Sequence, residues 1–472
     1  MDIFSLSIAG GLSLLLQICI TLHILLYKED VKSSIGWIGL VWLAPVLGAV
    51  LYILLGINRI KRKAIALKNP KATVKQLTGK TLQELEEQIP QNFLQLLKLG
   101  YKVHPQLFVP ANKITPLTNG DEAYPQMAQA IKNAKKQVLI QSYIFNNDTA
   151  GKSILDACQS AVKNGAKVRI LVDGVGLNYS SPNIKKAAQK LSDIDLRVFL
   201  PSKKPAYLPF VNLRSHRKIM IIDGHTAFFG GMNIAAENLL KTNPKAPVQD
   251  TTFKIEGPVI NQLARMFLED WIFTGGKSFK TEEFAINTAQ PSKQVFCRAI
   301  PDGPDSDYGK VKSIFLGAIT CAAKNIKILT PYFLPDEDIL TALQIAAMCG
   351  IDTEIILPQK SNILGMDFAM RANFTRLIKS GVKIYLQKPP FDHSKLFCVD
   401  GLWAAIGSAN WDERSLKLNF EAILEITDLS AAKQIEKIIN GKKALSIKQA
   451  IPKYSFYERI LFNAFKLLTP YY

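Results

Sequence analysis

The sequence predicts an α/β protein of two tandem repeats behind an apolar N-terminal hairpin. Three observations carry that reading. Two long uncharged runs open the chain. Strand-like and helix-like segments then alternate, as in βαβ units. The alternation is written twice, and each copy ends in a closely similar segment, HRKIMIID at 216–223 and HSKLFCVD at 393–400.

The first run, Ile3 to Tyr27, and the second, Ser33 to Asn58, contain no charged residue. About 20 apolar residues suffice to cross a bilayer, so a two-helix transmembrane hairpin over 1–58 is expected. Asp2 is acidic and the first run is long, which argues against a cleaved secretory signal. Eight basic residues and no acidic one fall between Arg59 and Lys80. The positive-inside rule therefore puts that segment, and everything after it, in the cytoplasm. Such a segment also attracts anionic lipid headgroups, so an anionic membrane surface is an expected partner.

Residues 59–110 form this basic juxtamembrane segment and a helical connector interrupted by Pro90. The first repeat is assigned to 111–285. It contains VLIQSYIF (138–145) as a strand, ILDACQSAVKNG (154–165) as a helix closed by glycine, and KVRILVDG (167–174) as a second strand. The second repeat is assigned to 286–472, where IKILTPYF, ILTALQIAAMCG and TEIILP follow the same order. The boundary falls in the polar stretch at 275–295. Hydrophobic residues at 48% and charged residues at 21% permit large cores and exclude general disorder. Six scattered cysteines with no CxxC pair form neither a disulfide framework nor a zinc ribbon. A net charge of +19 favours anionic partners: nucleic acid, acidic lipid or a phosphorylated substrate.

His216, Lys218, Asp223, Gly230 and Asn233 recur as His393, Lys395, Asp400, Gly407 and Asn410 with the same offsets. In an extended chain residues i and i+2 share a face, so each His and its Lys point to one place. Asp223 and Asp400 complete the motif as candidate catalytic residues, yet each precedes a glycine between two apolar runs, which is a hairpin-turn signal. Each half offers an imidazole, an ammonium and an amide. Phosphodiester chemistry uses that set: one imidazole attacks phosphorus, the other protonates the leaving alkoxide, and lysines and asparagines hold the oxygens. No cofactor and no metal is expected, because a lysine beside each His repels a cation and itself supplies the charge. Asp250 and Glu421, each at the head of an apolar run, are candidate acceptors for the second imidazole nitrogen.

The two HxKxxxxD segments with GGMN and GSAN resemble the signature of the phospholipase D superfamily. The apolar hairpin, NLRSHRKIMIIDG, the GPD element at 303–305, TPYFLPD and GSANWDERSLKLNFE are similar to the bacterial cardiolipin synthases within it. The resemblance implies two phospholipase D-like α/β repeats forming one bilobed unit with a single site. It implies that two phosphatidylglycerol molecules yield cardiolipin and glycerol at the inner cell membrane, with His216 as nucleophile and His393 as general acid and base. It assigns Lys218, Asn233, Lys395, Asn410 and Ser408 to phosphate, with Asp250 and Glu421 behind the histidines. Gly231 stands where the superfamily often has serine, and QDTT at 249–252 stands for RDTH. A hydrolase using the same site, or a membrane-tethered nuclease, is the alternative. Basic runs here lack the interleaved aromatics of a nucleic-acid platform, so nucleic acid is not an expected partner.

Overall fold

The structure, a computed structural model, describes residues 3–28, 31–53, 90–180, 184–191, 193–201, 213–279, 295–467 and 469. The basic segment 59–80 and most of the 275–295 stretch lie outside the described residues. The chain divides into two compact units, Met1–Leu67 and Lys68–Tyr472.

In the first unit, helix α1 (Ile3–Tyr27) is uncharged throughout. Its stretch Gly10–Tyr27, with a mean hydropathy of 1.8, is the one described helix long and apolar enough to cross a membrane. The second apolar run departs from expectation. It forms α2 (Val31–Leu43), breaks at Ala44 (φ −135°, ψ 77°), and resumes as α3 (Pro45–Leu51). Pro45 has no N–H and pushes its predecessor out of the helical region. A 13-residue helix reaches only about 20 Å, short of a bilayer core of about 30 Å. Polar contacts join the helices of this unit: Gln17 Nε2 donates to the Val41 carbonyl at 3.1 Å, and Trp42 Nε1 to Thr21 Oγ1 at 3.1 Å.

The second unit begins, among described residues, with α4 (Gln91–Val103), which starts directly after Pro90. Two sets of strands follow. The first comprises β1 (Val109–Thr118), β2 (Gln137–Ser142), β3 (Lys167–Asp173), β4 (Ile194–Phe199), β5 (Ile219–Ile222), β6 (Thr226–Gly230), β7 (Val248–Gln249) and β8 (Thr251–Glu256). The second comprises β9 (Val295–Asp302), β10 (Asn325–Leu329), β11 (Phe333–Leu334), β12 (Asp352–Pro358), β13 (Lys383–Gln387), β14 (Phe391–Asp392), β15 (Leu396–Val399), β16 (Trp403–Gly407), β17 (Trp411–Asp412), β18 (Glu421–Thr427) and β19 (Ser446–Lys448).

Fifteen of these form one sheet. From one edge to the middle it runs β4-β3-β2-β5-β6-β8-β1, and from the other β19-β13-β12-β10-β15-β16-β18-β9. Apart from β19 the two halves have the same order. They meet where β1 pairs antiparallel with β9, Val109 opposite Cys297. Strands β2 and β18 are buried along their full length, so helices or loops cover both faces. Each half has its own hydrophobic core, one around Ile140, Ile170 and Phe228, the other around Phe315, Trp403 and Trp411.

Two short seams then join the halves away from β1 and β9. β14 pairs with β7, and Ser215 bridges Phe420. Both seams end at a motif histidine: the His216 N–H donates to the Phe420 carbonyl at 2.9 Å, and the His393 N–H to the Gln249 carbonyl at 2.8 Å.

Candidate active site

Each HxK segment is the extended lead-in to the inner strand of its half, β5 or β15. The two seams turn these lead-ins toward one another. The His216 and His393 rings lie 6.4 Å apart between centroids, edge to face. Their side chains are only 12% and 11% exposed. Both line a single cavity of about 480 Å³, together with Asn233, Asn410, Tyr143 and Tyr332. The Tyr143 ring meets His216 at 5.1 Å, and the Tyr332 ring meets His393 at 6.3 Å.

The acidic partners are exchanged between halves. Glu421, on β18 of the second half, faces His216 Nδ1 at 3.0 Å. Asp250, at the seam of the first half, faces His393 Nδ1 at 3.0 Å. Both carboxylates are fully buried. At His216, holding Nδ1–H to the ionised Glu421 fixes the tautomer that leaves Nε2 free to attack.

The two carboxylates differ in their surroundings. Glu421 also accepts from Ser408 Oγ (2.6 Å), Ser415 Oγ (2.5 Å) and Asn419 Nδ2 (3.3 Å). Burial raises its pKa, but His216, Lys218 and these donors outweigh burial and hold it below the ordinary glutamate value. Asp250 accepts the Thr251 N–H at 2.7 Å. Burial pushes its carboxyl up to about 7 against the opposing pull of Lys395. Burial also pushes His216 down to about 4, with Glu421 pulling the other way and Lys218 adding to the fall. His393 is pushed well below its ordinary value by burial and then by Lys395 and Lys218.

Lys218 and Lys395 are buried beside the histidines. Each Nζ donates to the main-chain carbonyl of its own motif histidine, at 2.7 and 2.5 Å. Burial lowers both, Lys395 to about 8. An ammonium has three N–H bonds, so this contact fixes the lysine while leaving donor capacity for an anion. The asparagines are not equivalent. Asn233 Oδ1 accepts the Ile144 N–H at 3.2 Å, which leaves its NH₂ as the donor. Asn410 lends a side-chain hydrogen bond to Asp412, and its Oδ1 is buried with no partner among the described residues.

Three expected site residues have other places. Ser408 is fully buried and hydrogen-bonds Glu421, so it orients the acid behind His216 rather than lining the cavity. Asp223 and Asp400 sit in left-handed turns (φ 52° and 57°), each followed by a left-handed glycine. Asp223 accepts the N–H groups of Lys135, Lys136 and Gln137 at 2.8 Å. Asp400 accepts those of Ala323, Lys324 and Asn325 at 2.7–2.8 Å. Neither aspartate lines the cavity; each clamps the chain entering the neighbouring strand.

Sequence reasoning missed Arg214, Glu237 and Arg414, which all line the cavity. Glu237 and Arg414 lie four residues after Asn233 and Asn410, so equivalent positions of the two halves carry opposite charge. The offset rule that found the histidines would have found this pair. Arg214 is buried and paired with Asp173 at 3.6 Å. Burial pushes the Asp173 carboxyl up to about 6.

The family model described as "Cardiolipin synthase, PLD-like domain" matches residues 127–271 and 315–442, one segment in each half. The chain belongs to the cardiolipin synthase family of PLD-like proteins. It is 33% identical to cardiolipin synthase 1 of Bacillus anthracis over 467 residues, covering 96% of this chain and 91% of that one. It is 33% identical to a cardiolipin synthase of Geobacillus sp. over 448 residues, covering 93% and 88%. The fold of this family member also matches the crystal structure of phosphatidylserine synthase from Haemophilus influenzae. The TM-score is 0.62 at 16% identity, covering 80% of this chain and 99% of that one. The family assignment makes the chain an enzyme of the phosphatidyltransferase type.

Proposed function

We propose that this chain is a membrane-anchored cardiolipin synthase that condenses two phosphatidylglycerol molecules into cardiolipin and glycerol. The observation that supports it most is the pair of imidazoles, 6.4 Å apart across one cavity, each backed by a carboxylate from the opposite half. His216 Nε2 attacks the phosphorus of the first lipid, and the bond from phosphorus to the glycerol oxygen breaks. His393 Nε2–H delivers its proton to that oxygen, releasing glycerol. A hydroxyl of the second lipid then gives its proton back to His393 as its oxygen bonds to phosphorus, and His216 leaves. Lys218, Lys395 and the Asn233 amide stabilise the phosphoryl oxygens.

The asymmetry of the acids supports His216 as nucleophile. A firmly ionised Glu421 favours the positive charge that His216 carries as phosphohistidine. Asp250, which retains a proton more readily, suits the partner that must deliver one. Arg214 and Arg414 give the cavity a cationic side, suited to the second phosphate that the acceptor lipid and the product carry. The apolar lining at Val248, Ile363, Met366 and Phe391 suits a lipid better than a polynucleotide. The enzyme is placed at the cell membrane with its catalytic unit in the cytoplasm, on the charge of residues 59–80.

Purified full-length protein supplied with phosphatidylglycerol in detergent should release glycerol and form a four-chain lipid by mass spectrometry. Phosphatidic acid as the sole lipid product would make the chain a hydrolase instead. Wild-type turnover of phosphate-labelled phosphatidylglycerol, quenched in alkali, should leave label on His216. Label on His393 would reverse the two roles.

A further inference from the structure

The C-terminal helix carries an apolar face that the site does not use. Helix α5 (Phe456–Lys466) is started by a capping box in which Ser455 and Glu458 satisfy each other's backbone. It is held to the molecule by one side: the rings of Phe462 and Phe465 lie 5.7 and 5.3 Å from that of Phe368. At about 100° per residue, Phe456, Tyr457, Ile460 and Leu461 share an arc of about 140° on the other side. There Phe456 is 70% exposed, Tyr457 81% and Ile460 53%, with Leu467 80% exposed just past the helix. A surface helix ordinarily buries its one apolar stripe; this helix has two and buries one.

The packed side of the helix rests on an element that reaches the cavity. Phe368 belongs to the helix Met366–Lys379, against which α5 packs. Four residues ahead of it, Leu364 is 90% exposed, although Ile363 and Met366 on either side of the Leu364–Gly365 pair line the cavity. Exposed basic residues border the patch at Lys360, Lys453 and Arg459. The one carboxylate of α5, Glu458, is folded back onto the Ser455 N–H at 2.8 Å.

We infer that α5 and Leu364 form a docking face that inserts into the headgroup layer of an anionic phospholipid bilayer beside the mouth of the cavity. Apolar side chains flanked by lysine and arginine are what an interfacial helix presents. The basic border, with the helix's one carboxylate turned back onto its own N-terminus, selects an anionic bilayer over other occupants. The inference rests on the proposed lipid substrate, whose acyl chains must leave the cavity into an apolar phase, and the rim at Leu364 supplies that exit.

The test uses the full chain with the two exposed cysteines, Cys19 and Cys349, changed to serine. Single cysteines at Ile460, Leu364 and, as control, exposed Lys163 carry an environment-sensitive fluorophore in vesicles of phosphatidylglycerol and phosphatidylcholine. Labels at 460 and 364 should be quenched several-fold more by brominated-chain lipid than the label at 163, and less by iodide. Equal iodide quenching at all three positions would overturn the inference. So would shielding from both quenchers with energy transfer between labelled copies, which marks a protein interface. In parallel, the double variant Tyr457→Asp/Ile460→Asp should turn over vesicle lipid much more slowly and monomeric short-chain phosphatidylglycerol at the wild-type rate. Equal rates on both lipids would also overturn it. If no phosphatidylglycerol is consumed by any form, the proposed reaction fails while the quenching result still stands.

Discussion

At the residue scale, the two histidines look interchangeable by spacing and are not so by environment. Glu421→Gln removes the charge behind His216 and should lower the rate of glycerol release at least tenfold, about 1.4 kcal/mol in the barrier, read as a slower single-turnover rate constant. Asp250→Asn should act through His393, in both steps, and on the pH profile. The sign follows from the directions of the shifts. His216, held down to about 4, is neutral and nucleophilic above that value, so turnover should fall as pH drops through about 4. Asp250 is pushed up to about 7 and Lys395 down to about 8, so turnover should fall again as pH rises through that window. Asp250→Asn should remove the Asp250 part of the alkaline limb, move the Lys395 part to lower pH and leave the acid limb in place, which a pH series of kcat checks. Gly231→Ser tests the departure from the superfamily pattern. A Cβ there would meet the His393 carbonyl at 3.1 Å and Asp250 Oδ2 at 3.2 Å, so the added side chain should disturb His393 and slow both glycerol release and transfer to the second lipid.

At the element scale, Asp223 and Asp400 are turn clamps. Asp223→Ala removes the acceptor for three N–H groups and should cost about 2–3 kcal/mol, with kcat per folded molecule unchanged; a large loss of kcat would return the residue to the chemistry. Arg217 offers a second test. It is fully buried, bonds both Asp270 oxygens at 3.0 Å, and donates to the Glu421 and Asp302 carbonyls. Arg217→Met strands Asp270 and should destabilise the protein by about 3–5 kcal/mol, seen as a lower midpoint in denaturant. These elements also mark what the sequence disclosed. The βαβ order, the Asp-Gly turns and the glycines closing the helices are local and were readable one segment at a time. The break at Ala44 was equally readable from Pro45, but hydropathy summed over the run concealed it. The exchange of Glu421 and Asp250 was not readable, because it depends on two seams between segments about 140–200 residues apart.

At the scale of the whole molecule, one sheet and two seams make the halves a single body. The amides of His216 and His393 each bond across a seam, so both should exchange with deuterium only when the halves separate, and at matching rates; rapid exchange at one alone would show that its seam opens independently. The like order of strands on either side of β1 and β9 made the bilobed plan legible from the repeat itself. The charge difference between Glu237 and Arg414 was hidden by the same habit of reading repeats for their agreement rather than their differences. The crossed carboxylates tie the halves together in function as well as in shape. Each half holds an imidazole whose acid the other half lends. A change at Asp250 is therefore felt at a histidine 143 residues away, so a defect in one half is read out in the other.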